Sequence, residues 1–308
     1  MEYTFQRLTP EHAGDLQRLY KRVFGKNATI EQIQKKYDTS YLGKSWYGYL
    51  AFHGTTPAAF YGVIPVTLTY KGIRELSAQV VDSMTDPAYV KKGLHTHLAL
   101  KTFEILQAEG FSCVWAFANQ NSEVVMVNKL GFQFESRIKG YVLDAPQRFG
   151  NKLLRKLSPE LAAKRVGHRF ESIICSDSFS GLMARVEDRV QIDRSDVYMR
   201  YKSFSGNFVI NLEEVLFWVK PNNGLLIGDV EADSSEKLNS AITELWEFQK
   251  RYKMGPLVFQ SIPGTMLTDV LEDLADHTFD SWGVCYKNFS SGFPLERLFV
   301  TLGDIDTF

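Results

Sequence analysis

Residues 79–100, QVVDSMTDPAYVKKGLHTHLAL, and then 111–132, FSCVWAFANQNSEVVMVNKLGF, decide the fold of this chain. The first stretch opens on a β-branched pair, Val80 and Val81, and passes through a turn at Asp86 and Pro87. Two lysines and a glycine follow, Lys91, Lys92 and Gly93, and a helical pattern begins at once. A helix starting directly after a strand leaves its first-turn N–H groups and the positive end of its dipole facing whatever lies above the strand, which makes an anion site. The second stretch reads as a buried strand ending at Asn119 and Asn121, then a helix closed by Gly131.

Length and composition bound the rest. The 308 residues, 44% hydrophobic and 13% aromatic, suffice for two cores at about 100–200 residues per domain. A net charge of −1 and the lack of a basic stripe with interleaved aromatics argue against nucleic acid as partner. Cys113, Cys175 and Cys285 are odd in number and lie in apolar contexts, so they read as buried thiols and not as a disulfide framework. The start, MEYTFQRLTPEH, lacks a charged lead before an apolar core, and no window reaches ~18 uninterrupted apolar residues. The expectation is a cytoplasmic protein with no membrane partner. His95 and His97, two apart on a helix, point to different faces and make a poor metal pair, and no Gly-x-Ser-x-Gly elbow is present.

The pair DPAYVKKGLH and NQNSEVVMVNKLGF, in this order and at this separation, resembles the GNAT superfamily of acyl-CoA-dependent N-acyltransferases. The entry DSMTDP is most similar to the branch linked to polysaccharide biosynthesis. The resemblance implies acetyl-CoA as acyl donor and no metal. It implies as acceptor a primary amine of a small molecule such as an amino sugar, and it is compatible with a homo-oligomer. By the same resemblance the backbone of Lys91, Lys92, Gly93, Leu94, His95 and Thr96 holds the pyrophosphate. An N–H of Met84 or Thr85 polarises the thioester carbonyl. Asn119 holds the pantetheine arm or bridges the splayed strands, or else caps the turn.

Chemistry asks next for a base to take the ammonium proton of the acceptor. Asp82 is the first candidate, and Ser83 or Gln79 acting through a water is the second. Strand alternation puts Asp82 and Ser83 on opposite faces, so only one of them faces the cleft. Three positions depart from the family pattern: Val90 replaces Arg or Gln, His95 stands where Gly or Ala is usual, and Val127 takes the place of a tyrosine acid. These departures favour the alternative reading, a catalytically inactive binding or scaffold protein with the same fold.

Outward from this centre, Thr9 and Pro10 start a helix to about Phe24, and Thr29 with Gln32 has capping-box spacing. Residues 46–85 read as antiparallel strands, and 93–110 as a helix burying Leu94, Leu98, Thr102, Ile105 and Leu106. The second half, from FVINL to LFVTLG, repeats this order of elements. Where the first half has YVKKGLH it has DVEADSSEKLN, acidic and without the glycine. The expected class is therefore α/β (α+β), two tandem GNAT-like domains, each a mixed, mostly antiparallel sheet flanked by helices. Their bounds are 1–145 for the donor-binding domain and 166–308 for a degenerate one, joined by a basic connector at 146–165. Some tandem members bring their terminal carboxylate to the cleft; a surface position for Phe308 is the plainer expectation.

Overall fold

The computed structural model describes residues 2–25, 28–148, 167–174 and 188–308. Most of the expected connector and Cys175 lie outside these residues. The chain forms two units, Met1–Ser136 with Val190–Asp193 and Gly283–Leu298, and Arg137–Arg189 with Arg194–Trp282 and Phe299–Phe308.

In the first unit β1 (Thr4–Arg7), β2 (Tyr47–His53), β3 (Thr56–Tyr70) and β4 (Ile73–Thr85) run antiparallel, and β5 (Cys113–Ala118) lies parallel to β4. Thr9 heads a short 3-10 turn, Pro10–His12, before α1 (Ala13–Phe24), because His12 closes the capping box on Thr9. The Thr29 and Gln32 box starts α2 (Ile30–Tyr37) as its spacing predicts. Helix α3 (Leu94–Ala108) buries Leu94, Leu98, Thr102 and Leu106, with Ala99 and Phe103 besides, against Tyr61, Val63, Ala78 and Val80. Helix α4 (Gln120–Leu130) ends on Gly131 at φ 71°, the left-handed C′ position that favours glycine.

The second unit contains the C-terminal part of β6 (Gln133–Leu143), then α5 (Asp196–Lys202), β8 (Phe208–Leu212), β9 (Val215–Asn222) and β10 (Gly224–Glu231). It continues with α6 (Ser235–Tyr252), β11 (Leu257–Ser261) and α7 (Met266–Leu274). The strands β8, β9 and β10 are antiparallel, and β10 pairs in parallel with β11, the same order as β2 to β5.

The chain crosses between the units five times. Residues 139–143 of β6 pair with β11 in the second unit, whereas residues 283–288 of β12 (His277–Asn288) pair with β5 in the first. A short strand β7 (Val190–Ile192) likewise returns to β3. The SWGVCYKNF strand thus completes the first sheet, because β5 has an open edge there and Val284 and Cys285 are apolar enough to be fully buried on it.

Candidate active site

The parallel ladder between β4 and β5 runs from Ser77↔Cys113 to Val80↔Ala116 and stops, although β4 continues to Thr85 and β5 to Ala118. The two strands diverge there into a wedge. On its other side β4 carries a bulge: Val81 faces Gly62 and Met84 faces Phe60, so β4 has one residue more than β3. The extra residue is accommodated at Asp82, whose φ of 51° is left-handed. The bulge breaks the alternation on which the sequence placed Asp82 and Ser83, so their faces follow from the structure and not from period two.

Asp82 turns toward α2. Its Oδ2 accepts from Tyr37 Oη at 2.8 Å and from the Lys36 ammonium at 2.7 Å, in a pair whose side chains are 7% and 9% exposed. Gly62 makes this approach feasible, because a Cβ there would meet Tyr37 Oη at 2.6 Å. Lys36 and Tyr37 were not singled out in the sequence; the only signal was their place in the last turn of an early helix.

Beyond the bulge, Ser83 and Thr85 lie on the α3 side with Ala59. Asp86 N–H donates to Ala58 O at 2.9 Å, so by antiparallel alternation Met84 points its N–H at β3 and Thr85 points its own into the wedge. Of the two carbonyl-polarising candidates, Thr85 thus turns its N–H into the wedge, whereas Met84 turns its own to β3. Gln79 is 1% exposed and sits inside the ladder, below the wedge.

Past Thr85 the chain makes a 3-10 turn, Pro87–Tyr89, held by Asp86, which accepts from Ala88 N–H and from Arg22 Nη1, both at 2.9 Å. Lys91 (φ 61°) and Gly93 (φ 75°) are both left-handed, which turns successive N–H groups to one side as an anion nest. No side chain caps α3, whereas Asn119, Ser234 and Thr265 cap α4, α6 and α7. The N–H groups of Leu94, His95 and Thr96 are therefore without a side-chain cap, as are those that start α1 and α5. Lys91, Lys92 and Val90 are exposed.

His95, where the family has a small residue, tips its ring onto Tyr61, with centroids 5.2 Å apart and planes at 76°. Tyr61 Oη, Ser83 Oγ and His95 Nδ1 are buried without a hydrogen-bond partner in the protein. Tyr61 and His95 meet at the start of α3, and buried polar atoms without partners in the protein are suited to a polar ligand. Burial pushes the His95 imidazole below its ordinary value and the Tyr61 phenol far above its own. At His95 this burial couples stability to pH. Its contribution is intact above the unfolded value of ~6.5 and declines as pH falls from there toward the folded value, because only the unfolded chain readily takes the proton. Thermal unfolding at about pH 7 and about pH 5.5 should therefore show a smaller acid-side loss for His95→Phe than for the native chain.

Asn119 accepts from Asn121 N–H (3.0 Å) and Ser122 N–H (2.9 Å) through Oδ1, so it is the cap of α4. Its oxygen is committed, and a role on the pantetheine arm is left to its amide nitrogen. Val127 on α4 is 37% exposed, with no acid in its place. Among the described residues no group of three His, Cys, Asp or Glu could hold a metal, and no helix is long and apolar enough to cross a membrane.

The second unit has the same wedge, closed. Its parallel ladder ends at Ile227↔Phe259, β10 bulges between Ile227 and Asp229, and Asp229 stands two residues past the ladder as Asp82 does past Val80. Thr301 bridges Ser261 of β11, and a Cβ on Gly228 would meet the Phe308 ring at 2.5 Å and Gly303 Cα at 3.0 Å. Residues 301–308 thus fill the space between the strands. Arg194 clamps them: it pairs with Asp229, with Asp304 at 2.6 Å and with Thr301 Oγ1 at 3.0 Å. Phe308, expected at the surface, is 2% exposed, because its ring packs on Trp218 at 5.0 Å. Arg194→Met strands two buried carboxylates and should lower stability by about 3–5 kcal/mol, read as a drop in Tm.

Compared with known proteins, residues 4–134 match the acetyltransferase (GNAT) domain family. No curated protein sequence matches the chain. Among solved structures, a GCN5-related N-acetyltransferase from Kribbella flavida is 14% identical, over 94% of this chain and 71% of that one, with TM-score 0.63. A putative acetyltransferase from Pyrococcus horikoshii is 12% identical over 98% and 93%, with TM-score 0.57. Eis1 from Mycobacterium abscessus is 13% identical over 92% and 73%, with TM-score 0.54. At these identities the likeness is one of fold.

Proposed function

We propose that the protein is an N-acetyltransferase moving acetyl from acetyl-CoA to a primary amine of a small molecule, an amino sugar being the first class to try, a reading supported by the match of residues 4–134 to the acetyltransferase (GNAT) domain family. The observation that carries the reading is the uncapped start of α3, with left-handed Lys91 and Gly93, set beside a wedge between β4 and β5. Acetyl-CoA fits there with its pyrophosphate on the nest and its thioester along β4. Thr85 N–H is aimed where charge grows on the carbonyl oxygen. Asp82 takes the proton of the acceptor ammonium. The departing sulfur needs no dedicated acid, because a thiol of pKa ~8.5 leaves as thiolate at neutral pH with a penalty of only about 2 kcal/mol.

The second unit, on this reading, is a degenerate copy that takes no donor. Its α6 start is capped by Ser234 and flanked by Asp233 and Glu236, and its wedge holds residues 301–308.

The scaffold alternative draws, besides the departures at Val90, His95 and Val127, on the pairing of Asp82 with Lys36 and Tyr37, which like that of Asp229 with Arg194 gives the bulge aspartate a structural use. Incubation with acetyl-CoA and a panel of primary amines, following thiol release and identifying the product, separates the two. Amine-dependent release supports the enzyme; donor binding with no release for any amine supports the scaffold.

A further inference from the structure

The cation that pairs with the bulge aspartate differs between the two units in a way that bears on chemistry. In the closed unit it is Arg194, whose guanidinium stays protonated and does not act as an acyl acceptor. In the open unit it is Lys36, a primary amine, 2.7 Å from Asp82 and 7% exposed. A general base must lie within hydrogen-bond reach of the proton it removes, and the Lys36 amine meets this requirement at Asp82, two residues past the end of the β4–β5 ladder.

We infer that Lys36 is an acetyl acceptor in its own right, so that the protein acetylates itself at this side chain when acetyl-CoA is bound and no small amine is present. The inference rests on the acetyl-donor reading above. In the transfer, one proton of the Lys36 ammonium passes to the Asp82 carboxylate, and Nζ attacks the thioester carbonyl carbon. The new C–N bond forms as the C–S bond breaks, and CoA leaves as thiolate, which takes the second proton from nitrogen. The product is an amide at Lys36, CoA thiol and one proton on Asp82. The acetylated side chain has no charge to offer Asp82, so the modification dissolves the ion pair that closes this face of the bulge.

The test uses the full-length protein with labelled acetyl-CoA and peptide mass spectrometry. One acetyl group on Lys36 is expected. Lys36→Arg, which keeps the cation beside Asp82, should carry no label at that position, and Asp82→Asn should slow labelling by about 10²-fold or more. Gly93→Val, which disturbs the nest, should also abolish it. Label spread over exposed Lys35, Lys91 and Lys92 and unaffected by Gly93→Val is solution acetylation and overturns the inference. So does an unlabelled Lys36 in protein that releases thiol to external amines, a result that leaves the acetyltransferase reading standing. If the protein neither binds acetyl-CoA nor releases thiol, both fall.

Discussion

Gly93→Val is expected to abolish acetyl-CoA binding while the protein stays folded. Gly93 has φ 75°, and a Cβ there would meet nothing within 4 Å, so the first-order cost is the left-handed backbone, about 1–2 kcal/mol for a side-chain-bearing residue. The larger loss is to the ligand. A β-branched residue relaxes toward negative φ and rotates the N–H groups of Gly93, Leu94 and His95 off a common point. Losing two charge-assisted bonds at about 1.5–3 kcal/mol each weakens the donor by about 10²–10⁴-fold. Calorimetry and a melting curve check this together, and donor affinity within a few-fold of native would remove the nest from the account.

Asp82→Asn is expected to lower kcat by about 10²–10⁴-fold without weakening acetyl-CoA, since a base acts on the acceptor and not on the donor. The substitution also removes the carboxylate that pairs with the buried Lys36 ammonium, which costs about 3–5 kcal/mol. The double variant Asp82→Asn with Lys36→Met removes that charge and should regain stability while remaining inactive, which separates a catalytic from a structural aspartate. With Val127 supplying no acid, the kcat profile should rise with pH and lack a falling limb near ~10. No Tyr→Phe change should match Asp82→Asn. Tyr61 is buried with its phenol pushed far up, and Tyr47 and Tyr141 donate to Glu109 and Glu272. A dominant loss in any of these three, or in Tyr37→Phe, would show that Asp82 does not act alone.

Much of the fold was legible because local signals agreed with tertiary need. The Thr29 box, the apolar stripe of α3 and Gly131 each fixed an element end by chemistry that acts within one turn. What the sequence hid were features made by pairing. The bulge at Asp82 exists because β3 and β4 differ by one residue between ladder positions, and nothing in VVDSMT marks it. The Lys36 and Asp82 pair joins residues far apart in the chain. The acidic start of α6 suggested a second copy without a donor, but the filling of its wedge by residues 301–308 depends on Arg194 reaching Asp229 and Asp304 together. Likewise, the exchange of β6 and β12 follows from which sheet edges are open, a property of the assembled sheets alone.

The central claim is one donor site, at the start of α3. Titrating acetyl-CoA into the native chain and into Gly93→Val by calorimetry tests it most directly. One equivalent per chain for the native protein and none for the variant is the predicted result. Two equivalents, one equivalent that survives Gly93→Val, or no binding to the native chain would contradict it.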